Sequence, residues 1–439
     1  MNKRLLPVVL LLTLASGIAF AAQNSPPFES AVLQALARYP DLAIERNKVL
    51  FEKARVNEAR GAFLPTLHLF GTSEQTTNYN GYSGVAITAQ YGGVLIPVTV
   101  QKEIPRYQAS YGIELDYNLY SGGANLARVD EMSAAEQAAL AGQQVARKRV
   151  ILEVTRNYWG LSKAQIALKV AMRNLDYAQE QLGVADTQFE QGQIPQIDLE
   201  AKRVQLEVAT IALHSAQRTL HDYQRRYAEV TGLDADKGTS LPQVEEKVVN
   251  VDQLLAHFDL MKQPEIQKVQ ADYRAAQQHR EQLHAEYLPV LDLFLRNTYF
   301  GRSGSDIGLA QSNLQRDATA LGVNLKWNLF DGYRSDSRTA QAVAMSEQLR
   351  LQADKVERDM YNSHEEALAG EQEAVDQLAL AVTQLGFARS QLAIAQKRLD
   401  TRLISALEFD AARLAFANNE SRVDSLKIDL LIQQIASRL

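Results

Sequence analysis

The side chains best suited to covalent or metal chemistry are few and scattered. Histidine occurs seven times, at 68, 214, 221, 257, 279, 284 and 364, and cysteine not at all. Imidazole and thiolate are the usual soft ligands and activated nucleophiles, and both work in clusters with fixed spacing. No HExxH pattern is present, and His279 and His284 are five residues apart, which puts them on different faces of a helix. Phosphate-binding P-loops, GxSxG elbows and GxGxxG turns are also missing. The sequence therefore points away from an enzyme: no catalytic residue, no cofactor site and no metal site is expected. Without cysteine there is no disulfide framework and no lipid attachment at an amino-terminal Cys, so a lipoprotein is not expected.

The remaining chemistry is that of apolar and charged surfaces. The chain has 439 residues, 22% charged and 46% hydrophobic, with a formal net charge of −6. That acidic balance argues against nucleic acid as a partner. Met1-Asn-Lys-Arg4 followed by an apolar run from Leu5 to Phe20 and by Ala19-Phe-Ala21 reads as a signal peptide over 1–21. Eleven prolines are present, but none between 106 and 194 and none after 289, which permits very long helices.

An internal duplication organises these elements. Leu64-Pro-Thr-Leu-His-Leu-Phe70 recurs 224 residues later as Leu288-Pro-Val-Leu-Asp-Leu-Phe294. Tyr111-Gly-Ile-Glu-Leu-Asp-Tyr-Asn-Leu-Tyr120 recurs 210 later as Leu321-Gly-Val-Asn-Leu-Lys-Trp-Asn-Leu-Phe330. The first copy thus carries 14 extra residues between its shared motifs, around Thr76–Gly84, where the composition is that of a polar loop. The first repeat, 22–231, is expected to run helix (28–60), strands at about 62–74 and 109–120, long helix 122–191, turn, helix 196–231. A linker follows at 232–250. The second repeat, 251–439, is expected to run helix (251–286), strands at about 288–300 and 318–330, long helix 332–401, turn, helix 405–437. A 70-residue helix is about 105 Å long, and two helices of half that length laid end to end match it. Such helices must bury their apolar seam by coiled-coil contact with neighbours.

The strands alternate with a period of two. Tyr111, Ile113, Leu115, Tyr117 and Leu119 form one apolar row, and Leu321, Val323, Leu325, Trp327 and Leu329 form another. Segments of about ten residues with an unbroken apolar face fit outer-membrane strands, with these ten residues facing lipid. Tyr117, Tyr120, Trp327 and Phe330 gather at one strand end, as an interfacial aromatic girdle would. Four strands cannot close a barrel, and an open edge is forbidden in lipid, so copies must share it.

With these features the chain resembles the TolC family of outer-membrane efflux and secretion channels. The likeness rests on the two copies of helix–strand–strand–long helix–helix and on the Leu-Pro strand entries. It rests also on the exits Asn118-Leu-Tyr-Ser-Gly-Gly123 and Asn328-Leu-Phe-Asp-Gly-Tyr333, and on the turn Gly192-Gln-Ile-Pro-Gln-Ile-Asp-Leu199. The resemblance implies a mixed α and β membrane protein. A homotrimer would share a 12-stranded β-barrel in the outer membrane of a Gram-negative bacterium, four strands per protomer, above a coiled-coil tunnel in the periplasm. It also implies docking on a periplasmic adaptor (membrane fusion) protein and, through it, an inner-membrane pump or ABC transporter. The channel would conduct passively, and drugs, metals and secreted proteins are all cargo for this architecture. Gly192, Ile194 and Pro195 match the family's first docking turn, and Leu403, Ile404 and Ser405 its second. Asp198, Arg402, Glu408 and Asp410 would gate the periplasmic mouth. Arg402 stands where the family usually has glycine, which disfavours a left-handed second turn and adds a cation near Asp400 and Glu408. The alternative is a soluble periplasmic coiled-coil adaptor or structural protein.

Overall fold

The computed structural model describes residues 27–75, 83–91, 93–102, 107–232, 259–303, 305–314 and 316–438. The leader, the linker beyond residue 232, the first part of the loop at 76–82 and the stretch 251–258 lie outside those residues.

The amino-terminal helical stretch is two helices, α1 (Pro27–Arg38) and α2 (Pro40–Gly61), rather than one. Pro40 has no N–H and disfavours helical geometry in the residue before it, so the chain stops at Tyr39 and restarts with Pro40 in the first turn. Next come β1 (Thr66–Gln75), β2 (Ser83–Tyr91), β3 (Val94–Lys102), β4 (Tyr107–Tyr120), α3 (Ala124–Glu190) and α4 (Gln196–Thr231). The second repeat contains α5 (Pro264–His284), β5 (Val290–Ser303), α6 (Ile307–Ser312), β6 (Arg316–Lys326), α7 (Arg334–Asp400) and α8 (Ala406–Arg438). Single 3₁₀ turns flank α5 at Leu260–Lys262 and Ala285–Tyr287.

Two expectations fail here. The polar loop of the first repeat is in part an antiparallel hairpin, β2–β3, a two-stranded sheet of its own. The expected strand over 318–330 ends at Lys326, which leaves Trp327 and Leu329 outside it. The cause is local. The Trp327 indole N–H donates to the Tyr287 carbonyl at 3.1 Å. The Asp331 carboxylate then accepts from the backbone N–H of Arg334 at 3.1 Å and of Ser335 at 2.8 Å. Asp331 thereby caps α7, and these bonds, led by that from the Ser335 hydroxyl, hold its carboxyl below the usual range.

The chain divides into two compact units. One comprises the described parts of Met1–Val49, Ala138–Val269 and Gln352–Leu439; the other comprises Leu50–Gln137 and Gln270–Leu351. The first has the main apolar core, built from Phe28, Val32 and Ala35 of α1, Val150, Val154, Tyr158, Trp159 and Leu161 of α3, Tyr227 and Val230 of α4, and Ile428 and Ile435 of α8. Phe28 meets Tyr158 edge-on at 5.3 Å, and Tyr158 meets Trp159 at 5.1 Å. Burying each such large side chain contributes about 1.5–3 kcal/mol. Burial also raises the Tyr158 hydroxyl's pKa, keeping it neutral. Beyond this core α3 buries Ala164, Ala171, Ala178 and Ala185, seven apart. In α7 the buried Ala374, Ala381 and Ala388 repeat the first three at an offset of 210. A strict heptad of small residues imposes a left-handed supercoil and lets helix backbones approach closely. By length and composition α7 could cross a membrane, and the exposed apolar side chains along it include Leu380, Val382, Phe387 and Ile394.

The second unit contains the four-stranded antiparallel sheet, in the order β1-β4-β5-β6. The duplication is visible in its packing. Phe70 of β1 lies over Gly112 of β4, its Cα partner, and Phe294 of β5 lies over Gly322 of β6 in the same way. A Cβ on Gly112 would lie 2.5 Å from the Phe70 ring, and one on Gly322 2.7 Å from Phe294, so both ring seats require glycine.

Candidate functional site

Strand register separates the sheet into two chemically distinct faces. Leu67, Leu115, Leu295 and Leu321 pair across all four strands in one row. Ile113 and Leu69 lie beside that row on one side, and Tyr117, Leu293 and Val323 on the other, followed by Leu291 with Leu325. Much of this face is uncovered: Leu321 is 70% exposed and Leu325 64%. Tyr111 pairs with Tyr299 at one end of the apolar band. At the opposite end stand Tyr120, Trp327, Leu329 and Phe330, all exposed. The sequence reading had the second aromatic group but missed the first, because Tyr299 lies outside the duplicated motif.

The other face is polar. His68, Glu114 and Arg296 are neighbours across β1, β4 and β5. Arg296 donates to Glu114 and stacks over the Phe70 ring at 5.8 Å. The Asn118 amide donates to Asp292 at 2.7 Å. One face thus suits hydrocarbon and the other suits water.

The two helical turns form the second part of the site. After α3, the Gly192 N–H donates to Phe189 O at 2.9 Å and the Gln193 N–H to Gln188 O at 2.8 Å. After α7, the Arg402 N–H donates to Leu399 O and the Leu403 N–H to Arg398 O, both at 2.8 Å. Both are Schellman ends, 210 residues apart, and each needs a left-handed residue. Gly192 has φ 69° and Arg402 φ 56°. The second turn is therefore left-handed despite its arginine, contrary to the sequence expectation. The two backbone bonds of the Schellman end offset a Cβ penalty of about 1–2 kcal/mol at Arg402.

Starting α8, the Ser405 N–H donates to Glu408 Oε2 at 2.8 Å, and the Glu408 N–H donates to Ser405 Oγ at 3.2 Å. This capping box holds the Glu408 carboxyl below the usual range, through the Ser405 backbone N–H first and its hydroxyl second. Pro195 starts α4 with no side-chain cap; Asp198 is in that helix's first turn. Asp410 pairs with Arg413 at 3.0 Å. Among the described residues Arg402 has no carboxylate partner, so the four expected gate residues are not joined within one chain. Ile194 and Ile404 are half-buried. The uncovered apolar side chains at the turns are Leu403, 74% exposed, and Ile197, 73% exposed. Ile197 went unnoticed in the sequence, although it lies three residues after Ile194 on the same helical start.

Away from the turns α3 is tied to α8 by polar bonds. Lys163 pairs with Asp429 at 2.7 Å. Arg173 donates to Ala417 O at 3.1 Å and Ser421 Oγ at 3.2 Å, and the Asn418 amide donates to Asn174 at 3.1 Å. None of these was singled out in the sequence, since no local pattern links positions 244 to 266 apart.

The fold is shared with several solved structures. A membrane protein from Pseudomonas aeruginosa superposes with a TM-score of 0.73 at 15% identity, over 94% of this chain and 92% of that one. The outer membrane protein VceC of Vibrio cholerae gives 0.70 at 16%, over 93% and 94%. The CmeC outer membrane channel of Campylobacter jejuni gives 0.71 at 17%, over 93% and 84%. No curated protein sequence matches the chain. The family model described as outer membrane efflux protein matches residues 31–233 and 259–436, which takes in both repeats. The chain therefore belongs to the outer membrane efflux protein family, as a passive exit duct of tripartite efflux pumps rather than an enzyme.

Proposed function

We propose that three copies close a 12-stranded barrel whose apolar band, including Tyr111, Ile113, Leu115, Tyr117, Leu119, Leu321, Val323 and Leu325, faces lipid. Trp327 and Leu329 would lie at the membrane border beyond β6. The observation that carries this reading is the four-stranded sheet itself, apolar on one face, polar on the other, with β1 and β6 at its edges. Lipid cannot satisfy an open strand edge, so the edge of β6 must pair with β1 of a neighbour. Two copies would give eight strands, an interior that side chains fill. Phe70, Phe294 and the Arg296–Glu114 pair on the inner face would then block it. Twelve strands leave an aqueous path.

Energy comes from a partner pump, reached through a periplasmic adaptor that seats on the turns at Gly192–Pro195 and Leu403–Ser405. The gate lies on the periplasmic side. Asp198 and Arg402 act there between neighbouring copies. Within each copy the α3–α8 bonds hold the second helical hairpin against the first, because breaking them is the step that lets the hairpins separate. The test is heat-modifiable migration as a trimer from the membrane fraction, followed by conductance in planar bilayers at low salt. Wild type should conduct poorly, and Arg402→Glu should conduct more. A monomer in the soluble fraction would instead favour the adaptor-like alternative.

A further inference from the structure

The short helix α6, between β5 and β6, lies on the face of the sheet that carries the apolar band. Its seat is a row of small residues, Ser73 of β1, Ala109 of β4 and Gly301 of β5, which pair across the three strands. A Cβ on Gly301 would lie 1.8 Å from Ala310 O, so the helix fits only over glycine there. Ala109 and Ala310 are buried in the contact, and the Gln311 amide donates to the Ser73 hydroxyl at 3.1 Å. The helix thus reaches from β5 over β4 to the edge strand β1. Leu309, 48% exposed, Ile307, Ser312 and Asn313 are left uncovered. Residues 305–314 carry one charge, Asp306, and its carboxylate accepts from the Gly308 N–H at 3.1 Å as the cap of the helix.

The strands set the depth of this helix. Tyr120 and Tyr111 of β4 stand at the two aromatic borders of the apolar band, nine residues apart. At about 3.3 Å per residue and a tilt of about 35–45°, nine residues climb about 21–24 Å, close to the ~25 Å apolar band of an outer-membrane barrel. Charge begins at the upper border, where Asp317 pairs with Tyr299. Ala109 lies two residues beyond Tyr111, a further climb of about 5 Å. The headgroup layer on each side of the hydrocarbon is about 5–7 Å thick. The opposite ends of β1 and β4 lead into α2 and α3, on the periplasmic side, so α6 is at the level of the outer leaflet's headgroups.

We infer that α6 is an interfacial helix on the outside of the barrel, seated in the headgroup layer of the outer leaflet with Ile307 and Leu309 in contact with lipid. The inference rests on the lipid-facing reading of the band proposed above. Continuity of the face carries it: α6 covers the sheet where that band ends, on the same side. Exposed aliphatic side chains gain nothing from water but do gain from the boundary of headgroup and acyl chain. A neighbouring copy pairs along the strand edges, which leaves the outward side of α6 to lipid. The helix has no cation for anionic headgroups, so it binds by apolar contact and by the neutral groups of Ser312 and Asn313.

The natural absence of cysteine allows single labels. Leu309→Cys on α6, Leu321→Cys in the apolar band and Ala320→Cys on the polar face each receive a nitrobenzoxadiazole maleimide. Each full-length protein is reconstituted into phosphatidylcholine vesicles that hold a spin label either on the headgroup or near the middle of the acyl chain. The label at position 309 should be quenched at least threefold more by the headgroup spin label than by the acyl one, and the label at position 321 in the reverse order. The label at position 320 should respond to aqueous iodide and to neither lipid. Quenching at position 309 by iodide alone would overturn the inference by placing α6 in water. Quenching there in the order seen at position 321 would overturn it by placing α6 in the hydrocarbon. In both cases a lipid-quenched position 321 leaves the barrel reading standing. A position 321 that neither lipid reaches removes that reading, and the inference with it. Should Leu309→Cys fail to assemble, Ser312→Cys on the uncovered side of α6 takes its place, with the same outcomes.

Discussion

Among the described residues, two other than glycine adopt left-handed geometry, Tyr333 with φ 63° and Arg402 with φ 56°. Each is 210 residues after a glycine that is also left-handed, Gly123 and Gly192. The second repeat thus retains the turn while carrying a side chain that strains it. Replacing Arg402 by Gly should raise the stability of the folded channel by about 1 kcal/mol, seen as a higher unfolding midpoint in detergent. An unchanged or lower midpoint would mean that the guanidinium makes contacts that outweigh the strain. Glu408 allows a pH prediction. Its folded pKa is depressed, so its capping contribution is present above the ordinary value of 4.5 and lost as pH falls through the lowered one. Glu408→Gln keeps the shape but not the charge, and should flatten the acid limb of the stability–pH profile below about pH 4.5. Tyr39 behaves in the opposite sense. Its hydroxyl donates to Glu153 at 2.7 Å, and this bond to a carboxylate pushes its pKa up to about 12. Its contribution is held until the pH rises through that range.

At the scale of the element, helices and strands were legible in the sequence to differing degrees. The long helices follow from proline placement and heptad alanines, and α3 and α7 are each 67 residues. The break at Tyr39–Pro40 also has a sequence signal, since proline disfavours helical geometry in the residue before it, although the apolar and charged composition on both sides is that of a single helix. The hairpin β2–β3 had a signal as well, Tyr91-Gly-Gly-Val94 between alternating segments. It was masked by the polar residues of 76–84 that precede it. The end of β6 had no such signal. The alternation continues through Leu329, and the bond from Trp327 to Tyr287, followed by the Asp331 cap of α7, turns the chain away. The apolar band makes the strongest prediction. Leu115→Arg and Leu325→Arg should each cost about 2–4 kcal/mol near the membrane midplane and sharply lower assembled trimer on unboiled gels. Wild-type assembly of both would show that this face does not meet lipid. Gly301→Ala should likewise impair the sheet end, because the new methyl would clash with the Ala310 carbonyl.

For the whole molecule, the open question is what the uncovered turns do. A Schellman end with exposed Leu403 and a helix start with exposed Ile197 gain nothing from solvent. Both lie at connections between long helices, far in sequence from the sheet that gives the chain its membrane character. The duplication presents the two turns with the same backbone but different side chains: Gly192, Gln193 and Pro195 in one, Arg402, Leu403 and Ser405 in the other. One docking protein can thus seat on both through the shared backbone shape and still distinguish them by charge. Three copies would offer six turns, so each contact can be weak while the ring holds firmly, since linked sites multiply their effect. If so, one apolar contact per turn should suffice to break docking. Ile197→Asp with Leu403→Asp replaces six exposed apolar side chains in a trimer without touching the half-buried Ile194 and Ile404 that support the turns. Export in cells should fall to the level of a gene deletion, while trimer migration and bilayer conductance stay as in wild type. The more conservative pair Ile197→Ser with Leu403→Ser should give an intermediate loss. Wild-type export by the double aspartate variant would show that these turns are not where the duct meets its partner.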